Sequence, residues 1–298
     1  MNLGDLVVRR SYGGDIAFRI EELKEDYAIL KGIEFRLLAD SPLKDLVKAP
    51  SVVVSEKLQQ AQVRASESLI SLQRQRKEQS VLHQAQISGG RELSKEVSFF
   101  EVPGKVLHLD GDPNYLQKSL RVYEQLRVPA EGHYVRESGM ADALYRLLPQ
   151  VQPDIVVITG HDGVFKHRQN RDLYSLSSYK NSQNFVSAIQ VARKYERHLD
   201  SLTIVAGACQ SHFEALLQSG ANFASSPGRI LIHALDPVYV AAKAAFTSIR
   251  ETINMDDVLG NTISGSQGVG GIESRGSYRM GLPSLQDLST LKVTPSAM

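Results

Sequence analysis

Cysteine is nearly absent: the 298-residue chain has one, Cys209. An intramolecular disulfide is therefore impossible, and so is any zinc or iron–sulfur site built on several thiolates. Charge of one sign is lacking too. Lys and Arg number 34 against 33 Asp and Glu, a formal net charge of +1, which argues against a protein that grips nucleic acid by bulk charge. No apolar run approaches the roughly 20 residues that cross a bilayer. The opening MNLGDLVVRRSYGGD carries no basic-then-apolar export pattern, so neither membrane insertion nor secretion by the usual route is expected. What is present is an ordinary globular composition, 42% hydrophobic, enough to bury a real core.

Four segments differ in character. Residues 1–50 carry short apolar runs (LVVR, IAFRIEEL, YAILKGI, FRLLAD) broken by Gly-Gly or Asp. This pattern predicts strands and tight hairpins in a small β-barrel that resembles SH3-like barrels. In residues 51–97, Leu58, Ala61, Ala65, Leu69 and Leu72 recur at three and four, which predicts a helical linker packing one narrow seam. Residues 98–253 alternate apolar runs (KVLHL, DIVVIT, LTIVA, RILIH) with helical stretches. Such alternation means βαβ units and a mainly parallel sheet flanked by helices, an α/β fold. Residues 254–298 crowd seven glycines between Gly260 and Gly281 among many serines, and a flexible tail is expected.

In parallel α/β sheets, function sits at the carboxyl ends of the strands. DIVVIT runs straight into Gly160-His161-Asp162-Gly163, and LTIVA into Gly207-Ala208-Cys209-Gln210. If the two strands are neighbours, His161 and Cys209 share one rim. A lone cysteine is most often core, but this one sits just past a strand, among small residues, and before a predicted helix. A helix N-terminus and a nearby imidazole both favour thiolate. Backbone N–H groups near Gly163 and Cys209 are candidates for an oxyanion hole. The histidine precedes the cysteine by 48 residues, a length that suits a strand–helix–strand excursion.

An apolar block ending in His, followed by one ending in Ala-Cys, resembles the caspase-like cysteine peptidases, in which the histidine lies about 50 residues upstream of the cysteine. Here Asp162 stands between His161 and Gly163, where that family has His-Gly directly. Over most of the chain, NLGDLVVRRSYGGDI, ITGHDG, AGACQSHFEAL and SPGRILIHALDP resemble the YabG family of sporulation-specific peptidases. The resemblance implies a cysteine endopeptidase of the mother cell of a spore-forming bacterium, in the cytoplasm or at the spore coat, acting on spore-coat and related proteins. It also implies cleavage after basic residues, chiefly Arg, and no cofactor or metal.

A pocket for arginine calls for a carboxylate. Asp172, Asp236 and Glu214 are the candidates, and Asp236 also reads as a helix cap before Pro237. His212 is an alternative base. Asp110 and Asp112 in HLDGDP read as turn and cap residues rather than metal ligands. GSQGVGG, residues 265–271, lacks the Lys-Ser/Thr continuation of a phosphate loop. Arg74, Arg76, Arg275 and Arg279 are candidate self-cleavage sites in segments expected to be exposed. Two other readings remain. One is a glutamine-amidotransferase-like enzyme, which would place its cysteine before its histidine. The other is a non-catalytic coat-binding scaffold, indifferent to loss of Cys209.

Overall fold

The computed structural model describes residues 1–49, 59, 63–78, 81, 100–165 and 172–281. Five strands open the chain: β1 (Leu6–Arg9), β2 (Phe18–Leu23), β3 (Tyr27–Gly32), β4 (Leu38–Pro42) and β5 (Leu46–Lys48). They form one antiparallel sheet in the order β4-β3-β2-β1-β5. Its inner face follows the two-residue period of a strand. Phe18, Ile20, Ala28 and Leu30 are buried, while Arg19, between the first two, and Glu21, just after them, are exposed.

Helix α1 (residues 63–78) packs along one seam, as its narrow stripe predicts. Leu72 is buried, and Ala65 and Leu69 lie against the same apolar cluster. Arg76 donates to the Leu126 carbonyl at 2.8 Å and stacks over the Phe246 ring. Most of the rest of the expected 51–97 linker lies outside the described residues.

The remainder is α/β. In chain order come β6 (Phe100–Val102), β7 (Val106–Asp110), α2 (Pro113–Leu126), β8 (Ala130–Tyr134), α3 (Met140–Val151), β9 (Ile155–Thr159), α4 (Ser182–Tyr195) and β10 (Thr203–Ala206). After them follow α5 (Phe213–Gln218), β11 (Phe223–Ser225), α6 (Asp236–Phe246), α7 (Met255–Asn261), α8 (Gly265–Gly268), β12 (Val269–Gly271) and β13 (Arg279–Gly281). The main sheet has the order β12-β11-β10-β9-β7-β8, parallel except for β12 at one edge. Strand β9 shows why IVVIT is apolar throughout. Ile155 and Val157 face a cluster shared with α2 and α6, and Val156 and Ile158 face one shared with α3 and α4. Burying each such side chain contributes about 1.5–3 kcal/mol. From β7 the chain winds toward β8, and from β9 it winds the other way toward β10. The crevice between the carboxyl ends of β7 and β9 is thus the switch point, where open α/β sheets bind ligands. Among the described residues no helix is long and apolar enough to cross a membrane.

Two stretches differ from expectation. RILIH (229–233) forms no named strand, but passes over the carboxyl edge of the sheet, where His233 bridges Phe35 and the Ile230 carbonyl accepts from the Gln210 N–H. The glycine-rich segment expected to be a flexible tail is folded as far as Gly281. It supplies α7, α8 and β12, and β13 pairs with β6. Several of its glycines serve close approach: a Cβ on Gly276 would collide with the Thr247 carbonyl oxygen. Residues 282–298 lie outside the described residues.

Candidate active site

Three strand ends build one rim. Asp110 closes β7, Gly160-His161-Asp162 follow β9, and Gly207-Ala208-Cys209 follow β10. Strands β9 and β10 pair in parallel, with Ile158 opposite Ala206, so their loops leave the sheet side by side. Gly207 takes φ +112°, and a Cβ there would meet Leu216 at 2.9 Å; only glycine makes this exit without strain. Gly160 leaves room for Glu137, which reaches in to accept the His161 backbone N–H at 2.8 Å.

Asp162 ties the two loops together. Its carboxylate accepts from Gly163 N–H (2.8 Å), Asn181 N–H (2.8 Å), Ser182 Oγ (2.6 Å) and Ser211 Oγ (3.0 Å). Ser211 Oγ in turn accepts from Ala208 N–H, beside the cysteine. Burial pushes the Asp162 carboxyl up, and these donors oppose the shift. A buried carboxylate so fully bonded orders what surrounds it.

The His161 and Cys209 side chains are both sealed. His161 and Cys209 are each 0% exposed. The imidazole stacks on Tyr115, with centroids 5.3 Å apart, and its Nε2 lies 3.9 Å from Asp112 Oδ2. Among the described residues neither ring nitrogen has a hydrogen-bond partner. Burial lowers its pKa to about 4 against the pull of Asp112, and the Lys31 and Arg36 cations add to the lowering. Burial pushes the Cys209 thiol up to about 12, partly offset by the Ile232 N–H, which donates to Sγ at 3.2 Å, and by Arg36. In this state both groups are neutral.

The seal is a piece of the N-terminal sheet. Between β3 and β4 the chain crosses the rim, and Arg36 is buried within it. Its guanidinium makes a two-pronged ion pair with Asp110 (3.1 and 2.9 Å), donates from Nε to the Ala234 carbonyl (3.0 Å) and lies over the Tyr115 ring. Burial alone would raise the Asp110 carboxyl; the Arg36 charge together with hydrogen bonds from His108 and Arg36 more than reverses this and holds it well below the usual carboxylate range. The Arg36 carbonyl oxygen accepts from two N–H groups, those of Asp162 (3.1 Å) and Cys209 (3.2 Å).

The residues picked out in the sequence have distinct placements. Gly163 donates its N–H to the Asp162 carboxylate, and it is Asp162 that offers an N–H beside that of Cys209. Asp236, raised by burial to about 6, accepts from the N–H groups of Ile263, Ser264 and His233 and braces the loop over the rim. Asp172 is exposed and caps a turn at Tyr174. Glu214 pairs with Arg229. None of these three is a partner of the Arg36 guanidinium. His212 caps α5 through Nδ1, and its Nε2 bonds the Tyr174 carbonyl. Asp112 caps α2, and GSQGVGG becomes α8 and β12. Among the described residues no cluster of His, Cys, Asp and Glu could hold a metal. Missing from the sequence reading were Arg36, the pairing role of Asp110, Tyr115 and Glu137. A lone arginine in a hairpin carries no local signal; a strand-end aspartate facing the switch point does.

What lies in this cleft is polypeptide main chain, held by backbone donors of the two loops that carry His161 and Cys209. The family model described as YabG peptidase U57 matches residues 2–283. The sporulation-specific protease YabG of Bacillus subtilis (strain 168) is 45% identical over 287 residues, covering 94% of this chain and 97% of that one. The chain belongs to the YabG peptidase family and is a peptidase. Among solved structures, the isolated REC domain of RcsB from Salmonella enterica serovar Typhimurium aligns at 16% identity with a TM-score of 0.29, over 47% of this chain and 87% of that one, too weak to bear on fold or function.

Proposed function

We propose that this sporulation protease is a cysteine endopeptidase that cuts after arginine through Cys209 and His161, with a caspase-like arrangement of its core. One observation carries the reading. The residue occupying the cleft is an arginine whose side chain pairs with Asp110 while its carbonyl oxygen lies on the N–H groups of Asp162 and Cys209. That is how a scissile residue would be held: side chain in an acidic socket, carbonyl polarised by two donors beside the nucleophile. The bidentate geometry favours Arg over Lys, whose ammonium cannot fork.

In the catalytic cycle, Cys209 Sγ attacks the carbonyl carbon and the oxyanion forms on the two N–H groups. His161 delivers a proton to the leaving amine, and water then hydrolyses the thioester. Asp112, close to Nε2, stabilises the imidazolium that forms on the way. Tyr115 holds the ring by stacking. From the family relationship we also infer that the substrates are spore-coat and related proteins met in the mother-cell cytoplasm or at the coat.

The test uses peptides differing only in the residue before the cut. Cleavage after Arg, at least about tenfold better than after Lys (about 1.4 kcal/mol), is expected of the wild type. Cys209→Ala and His161→Ala should lower it by about 10³ or more. Cleavage unchanged in Cys209→Ala would sink the reading.

A further inference from the structure

Behind Asp110 runs a buried polar chain that the chemistry above does not use. A carboxylate has about four lone-pair directions. The protein frame takes two of them: the Asp112 N–H donates to Oδ1 at 2.9 Å, and the Thr159 hydroxyl donates to Oδ2 at 3.2 Å. The Arg36 guanidinium takes the other two with its fork, one oxygen to each terminal nitrogen. Next to Thr159 stands His108. Its Nε2 is 3.0 Å from Thr159 Oγ1 and 3.4 Å from Asp110 Oδ2, and its Nδ1 is 3.1 Å from the Tyr123 hydroxyl. All four side chains are buried.

The chain has one consistent direction. Thr159 has a single hydroxyl proton, and the charged carboxylate at 3.2 Å is a better acceptor than the Leu109 carbonyl at 3.5 Å. The Thr159 oxygen must then accept from His108, which assigns the ring proton to Nε2. Burial, more than any neighbour, lowers the His108 pKa, so the ring is neutral. Its Nδ1 is left to accept from the Tyr123 hydroxyl, whose own pKa burial raises. Every donor from Tyr123 onward thus points toward Asp110 Oδ2. On β7, His108 sits between Leu107 and Leu109, all three fully buried. An apolar residue would fill that place without desolvating polar groups, and a buried polar chain is costly unless every member is bonded.

Resting on the cysteine-peptidase reading above, we propose that Thr159, His108 and Tyr123 are positioning residues for arginine selection. They hold Asp110 Oδ2 from behind, so that the carboxylate presents two open acceptor directions in fixed orientation. A guanidinium fork fills both, whereas a lysine ammonium meets them as a point charge and gains less from their alignment. The three residues act through Asp110 rather than on the arginine itself.

Full-length wild type, Thr159→Val, Thr159→Ser and Tyr123→Phe are checked for folding by circular dichroism. Their kcat/KM is then measured on two peptides that differ only in Arg or Lys before the cut. The ratio of the two values is the readout, because both peptides meet the same cleft and a general loss of structure lowers both alike. Thr159→Val keeps the shape and removes the hydroxyl; it should lower the Arg-to-Lys ratio about fivefold or more. Thr159→Ser restores the hydroxyl and should return the ratio to within about twofold of wild type. Tyr123→Phe leaves Nδ1 without its donor and should lower the ratio about twofold or more. A ratio unchanged in Thr159→Val and Tyr123→Phe overturns the proposal, as does one equally low in Thr159→Ser and Thr159→Val. A fall shared equally by both peptides marks a purely structural role and also overturns it. A shift in Thr159→Val alone overturns the part given to His108 and Tyr123. Should Thr159→Val not fold, Tyr123→Phe decides. Wild type that cuts equally after Arg and Lys removes the arginine socket and leaves the peptidase reading standing. Wild type that cuts neither removes that reading, and this proposal with it.

Discussion

The backbone N–H groups of Asp162 and Cys209 converge on a single oxygen, the carbonyl of Arg36, at 3.1 and 3.2 Å. The loop after β9 and the loop after β10 thus form one donor pair, and its spacing depends on both strand ends. Disturbing either loop should affect chemistry and stability together.

Asp162 is the brace between those loops. Asp162→Ala leaves four donors without their acceptor, each costing about 1–3 kcal/mol if it stays buried and unpaired. A net loss of about 3–5 kcal/mol is expected, since relaxation and water recover part of the sum. Asp162→Asn keeps one acceptor oxygen and should fall between. Urea denaturation midpoints of the two variants and wild type check the order, and kcat on an Arg peptide should follow it.

Arg36 and Asp110 should show strong coupling. Asp110→Asn leaves a buried guanidinium without its counter-charge, at a cost of about 3–5 kcal/mol. Arg36→Gln strands the carboxylate and should cost a similar amount. The double variant should recover much of the loss, because a neutral pair in the same space needs no charge compensation. A double-mutant cycle of unfolding free energies measures this, and additive losses would mean that the two side chains act independently.

The pH dependence has a defined sign. Burial holds His161 near pKa 4 in the folded chain, against about 6.5 when unfolded. Above pH 6.5 both states leave the imidazole neutral and the shift has no effect. As pH falls from 6.5 toward 4, the unfolded chain gains a proton that the folded chain refuses, so stability declines by up to about 3 kcal/mol at 1.36 kcal/mol per unit. His161→Gln removes this contribution. Between pH 7.5 and 4 the variant should lose correspondingly less stability than wild type in chemical denaturation, whatever its activity.

Gly276 distinguishes a folded glycine segment from a tail. A Cβ there would collide with the Thr247 carbonyl oxygen, so Gly276→Ala forces the main chain apart. A loss of about 1–3 kcal/mol is expected, visible as a lowered thermal midpoint. In a loose tail the same change would be neutral.

The sequence by itself determined the α/β alternation, the parallel sheet, the antiparallel N-terminal strands and the two strand-end motifs that carry His161 and Cys209. These depend on periodicity and on small residues beside a strand end, which are local properties of the chain. The family was also legible, because its motifs recur along most of the length. The role of the glycines after residue 254 was not. Glycine serves loose chain and tight packing alike, and only the carbonyl opposite Gly276 tells them apart. Nor could spacing reveal that Arg36 and Asp110, 74 residues apart, meet in one buried ion pair. That contact exists because the turn between β3 and β4 is laid across the ends of β7, β9 and β10. The packing of one sheet's turn on another sheet's edge is decided by shape and by buried charge that must find its partner, and neither is written in local order.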